Sequence, residues 1–256
     1  MRSRGTGQRV VLLDELRGLC LVLMVIYHGL YNLTFLFGVP IPFYSAPLNA
    51  LQLFICCGFI TLAGISCRFS RGNIKRGLFV FAVAMGMSLA TWYFMPGQII
   101  LFGVLHMLGL CMVLYGIMNP AGKIDRVSGF LGLVVCLALF AVSWGVPKGH
   151  LGIFGLELFR LPAVLYSSPY TFFLGFPHSG FYSADYFPLL PWAFLFFAGA
   201  YIGTAFREGS TPWFFYRPRC RFLGRIGKHT LLIYILHQPV LYGLMYGVFY
   251  LIDKFK

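Results

Sequence analysis

Long apolar runs broken by short polar or basic segments dominate the chain. The runs follow neither the period of a half-buried strand nor that of an amphipathic helix, and most approach the ~20 residues needed to cross a ~30 Å hydrocarbon layer. The pattern predicts seven membrane helices, over about 11–35, 50–68, 76–95, 98–118, 127–146, 187–206 and 228–251. Met95-Pro96-Gly97 reads as a tight turn, which makes the third and fourth helices an antiparallel hairpin. One segment, about 147–186, breaks the pattern. It is rich in Gly, Pro and aromatics, with Ile153 to Arg160 at amphipathic spacing. Connections longer than ~15 residues are usually functional or disordered, and so much Phe, Tyr and Leu argues against disorder. It is expected to cap the outer face or re-enter it. An eighth span over about 152–174 is the alternative, but it would move the basic loop 207–228 to the outside. The expected fold is all-α: one domain over 1–256, a polytopic membrane bundle of about seven transmembrane helices with a long outer capping segment.

Composition supports the membrane reading, since 59% of the 256 residues are hydrophobic and only 11% charged. No soluble domain of this size hides that much apolar surface. A net charge of +13 suggests nucleic acid at first sight, but the basic residues sit in short loops between apolar runs. With the N-terminus in the cytoplasm, the inner segments hold Arg2, Arg4, Arg9; Arg68, Arg71, Lys75, Arg76; Lys123, Arg126; and Arg207, Arg217, Arg219, Arg221, Arg225, Lys228. The outer segments hold only Lys148, Arg160, Lys254 and Lys256. This bias orients the chain N-inside, and seven spans put the C-terminus outside. The basic N-terminus followed by an apolar run is similar to a signal peptide. The run is too long, carries Arg17 and lacks a small-residue cleavage site, so an uncleaved first helix is expected. The seven cysteines have no zinc spacing and read as membrane core filler.

The candidate chemistry starts on the first helix. Asp14, Arg17 and His28 share one face, because eleven steps at ~100° come to about 20° past three turns. Arg17 and His28 lie roughly 16 Å apart along the axis. Ionisable groups in a span face a partner or a cavity. Neutral imidazole at His28, beside Tyr27, Tyr31 and Asn32, suits a general base; the plain alternative is a packing histidine. Asp14 and Arg17 form either an i,i+3 ion pair or the inner mouth of an anion site. Arg68 and Arg71 are one turn apart and read as positive-inside anchors or as a phosphate clamp, with Arg225 and Lys228 in the later basic loop as further anion ligands. The same ring suits anionic lipid headgroups. His106 and His237 fall near mid-membrane on different helices, and Pro239 opens the helix backbone beside His237 and Gln238. Cross-helix hydrogen bonding is the structural reading of both histidines. Asp185 either caps the sixth helix or orients an outer-site base such as His28. His178 and Glu157 are weaker acceptor-site candidates. No Walker loop, nucleophile elbow, zinc, haem or other metal motif is present.

These residues carry a resemblance. Leu13-Asp14-Glu15-Leu16-Arg17-Gly18 through Tyr27-His28, Phe102 to His106, Asp185 to Trp192, and Leu223 to His229 into Ile233 to Pro239 resemble the catalytic-domain family of heparan-alpha-glucosaminide N-acetyltransferase, in its compact bacterial form. The first and last stretches are also similar to larger membrane O-acetyltransferases of O-antigen and peptidoglycan, including an Arg-x-x-Arg matched by Arg68 and Arg71. The resemblance implies a bacterial inner-membrane enzyme. It would move an acetyl or similar acyl group from cytoplasmic acetyl-CoA to a glycan or lipid-linked sugar on the outer face, modifying the cell envelope. It implies essential roles for His28, Arg17, Arg68 and Arg71: His28 as a catalytic residue and the arginines as acyl-CoA ligands. Beside it, the residues themselves add Asp185, His106 and His237 as catalytic candidates and Arg225 and Lys228 as acyl-CoA ligands, with Asp14 paired to Arg17. The animal lysosomal enzyme differs: it has Asn where this chain has His28, and its proposed catalytic His lies further along, where 29–49 has none. Its amine specificity therefore does not carry over. The partners implied are acyl-CoA, a saccharide acceptor and membrane lipids, with no nucleic acid. The acceptor, the acyl group and the oligomeric state are open, a homodimer included. The rival reading is a small proton- or anion-coupled transporter through Asp14, Arg17, His106 and His237, but no inverted repeat supports it.

Overall fold

The computed structural model describes residues 10–119, 129–153, 156–207 and 212–255. Of the charges used above to orient the chain, Arg2, Arg4, Arg9, Lys123, Arg126 and Lys256 lie outside these. Each predicted apolar run contains a helix: α1 (Val11–Phe35), α2 (Ala46–Cys67), α3 (Asn73–Phe94), α4 (Val104–Met118), α5 (Gly129–Val142), α6 (Leu189–Arg207) and, after a short α7 (Arg221–Lys228), α8 (Thr230–Lys254). Five of them, α1, α2, α3, α6 and α8, are long and apolar enough to cross a membrane, while α4 and α5 are shorter apolar helices. Their outer faces keep large apolar side chains exposed, among them Leu78, Phe79 and Leu89 on α3 and Leu244 and Val248 on α8. In lipid that exposure carries no hydrophobic cost, so this is a helical membrane bundle.

The chain groups into two compact units, one of residues 1–59 with 211–256 and the other of 60–210. In the first, α1 lies between α7 and α8. Its core is Leu21, Met24, Tyr27, Phe43 and Ile55, with Phe43 folded back from the loop after α1 onto the rings of Tyr27 and Tyr31. Contacts of α1 and the turn after it with α8 rise together in sequence: His28 with His237, Asn32 with Gln238, Phe37 with Phe249. The two helices therefore run in the same direction. An odd number of crossings connects such a pair, as seven spans require.

The second unit is built on helix pairs held close by glycine. Facing contacts of α3 with α4 descend on one as they rise on the other: Ile74 with Gly116, Gly77 with Gly109, Phe81 with His106. This is the antiparallel hairpin expected across Met95-Pro96-Gly97, where the turn is a 3-10 segment, Pro96–Gln98. The fourth helix is shorter than the expected 98–118. Ile99 to Phe102 are extended instead, and pair with the strand-like approach to α6 through Ala184 N–H to the Ile99 carbonyl and Phe187 N–H to the Phe102 carbonyl, both 2.9 Å. Ile153 and Leu156 to Arg160 are not helical either. They belong to an antiparallel pair of strands, β1 (His150–Ile153) and β2 (Leu156–Arg160), with a bulge between Leu151 and Gly152. All five β2 residues are exposed. Short 3-10 turns follow at Ala163–Tyr166 and Phe172–Leu174, so no span occupies 152–174 among the described residues.

Candidate functional site

The opening turns of α1 grip the segment that leads into α7. A Cβ on Gly18 would lie 2.0 Å from the Leu223 carbonyl oxygen, and one on Gly227 would lie 1.8 Å from the Asp14 carbonyl oxygen. Only glycine permits backbones this close. Gly224 and Gly227 are buried, while Arg221, Arg225 and Lys228, spaced i, i+4, i+7, form an exposed basic stripe. Glu15 completes the grip. Its buried carboxylate accepts from the backbone N–H groups of Arg219 (2.7 Å) and Cys220 (2.9 Å), where α7 begins. A carboxylate at a helix N-terminus is matched to the dipole and to donors that otherwise lack partners. Sequence reasoning passed over Glu15. The signal was available: it is one of only seven acidic residues, and it stands inside an apolar helix.

Asp14 and Arg17 are an ion pair at 2.9 Å, with the Arg17 side chain 22% exposed and the Asp14 side chain 7%. Arg217 and Arg219 lie over the rings of Trp213 and Phe214, at 4.5 and 5.5 Å. Basic and aromatic groups are thus interleaved before α7.

Deeper along α1, His28 meets His237 of α8. His237 Nε2 is 3.1 Å from His28 Nδ1, and the ring centroids are 4.7 Å apart. His28 Nδ1 also lies 3.1 Å from the Met24 carbonyl oxygen, and His237 Nδ1 lies 2.6 Å from that of Tyr234. His237 is 7% exposed. Next to the pair, the buried Asn32 donates from Nδ2 to Gln238 Oε1 at 3.1 Å. Two polar contacts between the same two apolar helices fix their register, because an unmatched polar group in that setting is costly. Pro239 sits inside α8 just beyond His237 and Gln238. Its missing N–H removes the helical bond to the Ile235 carbonyl.

His106 and Asp185 belong to a different arrangement, in the second unit, at the start of α4. Gly103 N–H donates to His106 Nδ1 at 3.2 Å, and Val104 N–H donates to Asp185 Oδ2 at 3.0 Å. A ring nitrogen that accepts carries no hydrogen, so neutral His106 is the Nε2–H tautomer. That hydrogen points to Ser88 Oγ, 3.2 Å away. Both side chains serve as acceptors for the free amides of a helix N-terminus. Asp185 therefore caps α4, not α6, which follows it in sequence. Enclosure pushes its carboxyl up to about 6, with the Val104 N–H pulling the other way.

Arg68 is buried at the end of α2, where Nε donates to the Ala200 carbonyl at 2.8 Å and the side-chain stem packs on Gly203. Arg71, four residues after α2 ends, is exposed. The structure thus brings together His28 with His237, Asp14 with Arg17, and His106 with Asp185. In the first unit, Arg225 and Lys228 lie on the α7 stripe. Arg68 and Arg71 are in the second unit.

No curated protein and no solved structure matches the chain. A sequence family described as heparan-alpha-glucosaminide N-acetyltransferase, catalytic, matches residues 9–239. The match takes in both histidines of the α1–α8 pair, the Glu15 grip, the α4 cap and the basic stripe. The chain belongs to the heparan-alpha-glucosaminide N-acetyltransferase catalytic family.

Proposed function

We propose that the protein is a membrane acyltransferase that takes an acetyl or similar acyl group from acyl-CoA on the cytoplasmic side and delivers it to a saccharide or lipid-linked saccharide hydroxyl at the outer face of the bacterial inner membrane. The observation that carries the reading is the imidazole pair, His28 and His237, enclosed between two helices each long enough to cross a membrane. An imidazole inside a span calls for a functional reason, and family membership supplies acetyl transfer as that reason. His28 acts as general base. It takes the acceptor proton as the oxygen attacks the thioester carbonyl; the C–S bond breaks, and the departing CoA thiolate is protonated. His106 and Asp185 are assigned to holding the start of α4, where His106 Nδ1 and Asp185 Oδ2 each accept a backbone N–H.

The basic stripe supports the donor side. Arg225 and Lys228 face away from α1 at the end where Arg17 lies, roughly 16 Å of helix rise from His28. The pantetheine arm of CoA is long and thin enough to cover that separation. Arg68 and Arg71 are kept as acyl-CoA ligands on the resemblance, Arg71 as the exposed member. Millimolar acetyl-CoA is expected to raise the thermal midpoint of the purified protein, and 3′-dephospho-acetyl-CoA is expected to raise it less. A ligand at about 100 times its Kd adds ~2.7 kcal/mol. Arg225→Gln with Lys228→Gln should reduce the rise. No rise with either ligand in the folded wild type contradicts the proposal.

A further inference from the structure

We infer that His237 is a positioning residue for His28: it fixes the tautomer that leaves His28 Nε2 as a bare lone pair, and it shares the proton that His28 gains. The step rests on the acyl-transfer reading; the tautomer rests on geometry alone. The Tyr234 carbonyl, 2.6 Å from His237 Nδ1, can only accept, so that nitrogen carries a hydrogen. A neutral ring has one N–H, so His237 Nε2 is a lone pair. It faces His28 Nδ1 at 3.1 Å and requires a hydrogen there. The Met24 carbonyl, 3.1 Å from the same His28 nitrogen, makes the same demand independently. His28 is therefore Nδ1–H, and its Nε2 is free of hydrogen.

The order of donors runs from His28 through His237 to a backbone carbonyl. When the acceptor hydroxyl gives its proton to His28 Nε2, that ring carries two N–H groups. The Nδ1 proton then passes to His237 Nε2, making His237 the cation, with its Nδ1–H still on Tyr234. As the C–S bond breaks, the thiolate recovers the proton by the reverse path, and both rings end neutral. Among the described residues, the other titratable groups against the pair are Tyr27 on α1, its ring 5.9 Å from that of His28, and Tyr234 on α8, its ring 5.6 Å from that of His237. The relay therefore uses a neutral partner. It is a different device from a carboxylate behind a histidine, and it spares the membrane interior a fixed charge.

The test combines histidine 15N NMR on protein in nanodiscs with steady-state kinetics. Wild-type His28, assigned by difference from a His28→Gln sample, should show a protonated Nδ1 and a bare Nε2 at neutral pH. His237→Gln keeps an acceptor oxygen but cannot take a proton. It should retain the thermal rise with acetyl-CoA and the KM for acetyl-CoA, and lose kcat by about 10- to 100-fold, the scale of losing an outer partner of a reacting group. His237→Phe, which can neither accept nor relay, should lose at least as much. A protonated Nε2 on wild-type His28 overturns the inference, and so does full kcat in both variants. A loss of kcat that only tracks the loss of folded protein also overturns it, because His237 then merely packs. The NMR arm needs no substrate. If folded wild type transfers nothing while His28 stays Nδ1–H, the acyl-transfer reading fails and the tautomer assignment stands.

Discussion

His28→Ala lowers acyl transfer by about 10²- to 10⁴-fold, the usual contribution of a positioned general base. At 1.36 kcal/mol per tenfold, that corresponds to roughly 3–5 kcal/mol of barrier. The effect should fall on kcat, leaving the KM for acetyl-CoA and the thermal rise with acetyl-CoA near wild type, because the basic stripe lies about three helical turns away. Stability changes much less. The substitution removes one cross-helix contact, and the His237 lone pair loses its donor, a cost on the order of 1 kcal/mol. The Asn32–Gln238 contact remains to hold α1 against α8. Kinetics and thermal unfolding on the same preparation separate the two roles. Parallel loss of activity, acyl-CoA binding and folded yield would mean that His28 packs and does not react.

Gly227→Val is expected to produce the largest structural effect. The new Cβ would start 1.8 Å from the Asp14 carbonyl oxygen, with the Gly18 amide nitrogen 3.0 Å away. Both are backbone atoms of α1, so no rotamer change relieves the clash, and α7 must move off. Ordinary overpacking costs about 1–3 kcal/mol, and a contact against backbone belongs at or above the top of that range. Movement of α7 also draws the Arg219 and Cys220 amides away from Glu15, leaving a buried carboxylate with fewer donors. The expected outcome is a strongly reduced folded yield in detergent. Any folded fraction should lose the acetyl-CoA thermal rise, since Arg225 and Lys228 move with α7. Gly243→Ala is the control. No atom lies within 4 Å of its Cβ position, so it should match wild type or gain slightly in helix propensity. A wild-type yield and midpoint for Gly227→Val would contradict the close crossing.

Hydropathy made the seven apolar helices readable, because a long apolar run has few other uses, although α4 and α5 are shorter than the runs that contain them. It misplaced the start of α4. Residues 99–103 are as apolar as the helix that follows, but their amides and carbonyls pair with 183–187, a partner eighty residues away that no local pattern announces. Within the capping segment, the amphipathic spacing misled for a related reason. The spacing over 153–160 suits a helix face, yet β2 exposes every residue and is held by its pairing with β1. At the site, hydropathy and spacing singled out three histidines but could not rank them; His106, expected near mid-membrane, sits in the first turn of α4. Backbone donors and acceptors separate them: Gly103 N–H occupies His106 Nδ1, Tyr234 C=O faces His237 Nδ1, and the inferred tautomer leaves His28 Nε2 as the base. The first-helix motif also has a packing use. Its Glu15 and Gly18 exist to seat α7, and seeing that from sequence requires pairing them with Gly224 and Gly227 two hundred residues on.

Transfer across the membrane through His28 is tested most directly in sealed inside-out vesicles from bacteria that make the protein. Acetyl-CoA labelled with 14C in the acetyl group is supplied only to the exposed cytoplasmic face, and the label in the saccharide fraction inside is counted. Wild-type vesicles should accumulate enclosed label over vesicles lacking the protein, and vesicles with folded His28→Ala should not. Equal enclosed label from wild type and His28→Ala, or none from folded wild type, would contradict the account.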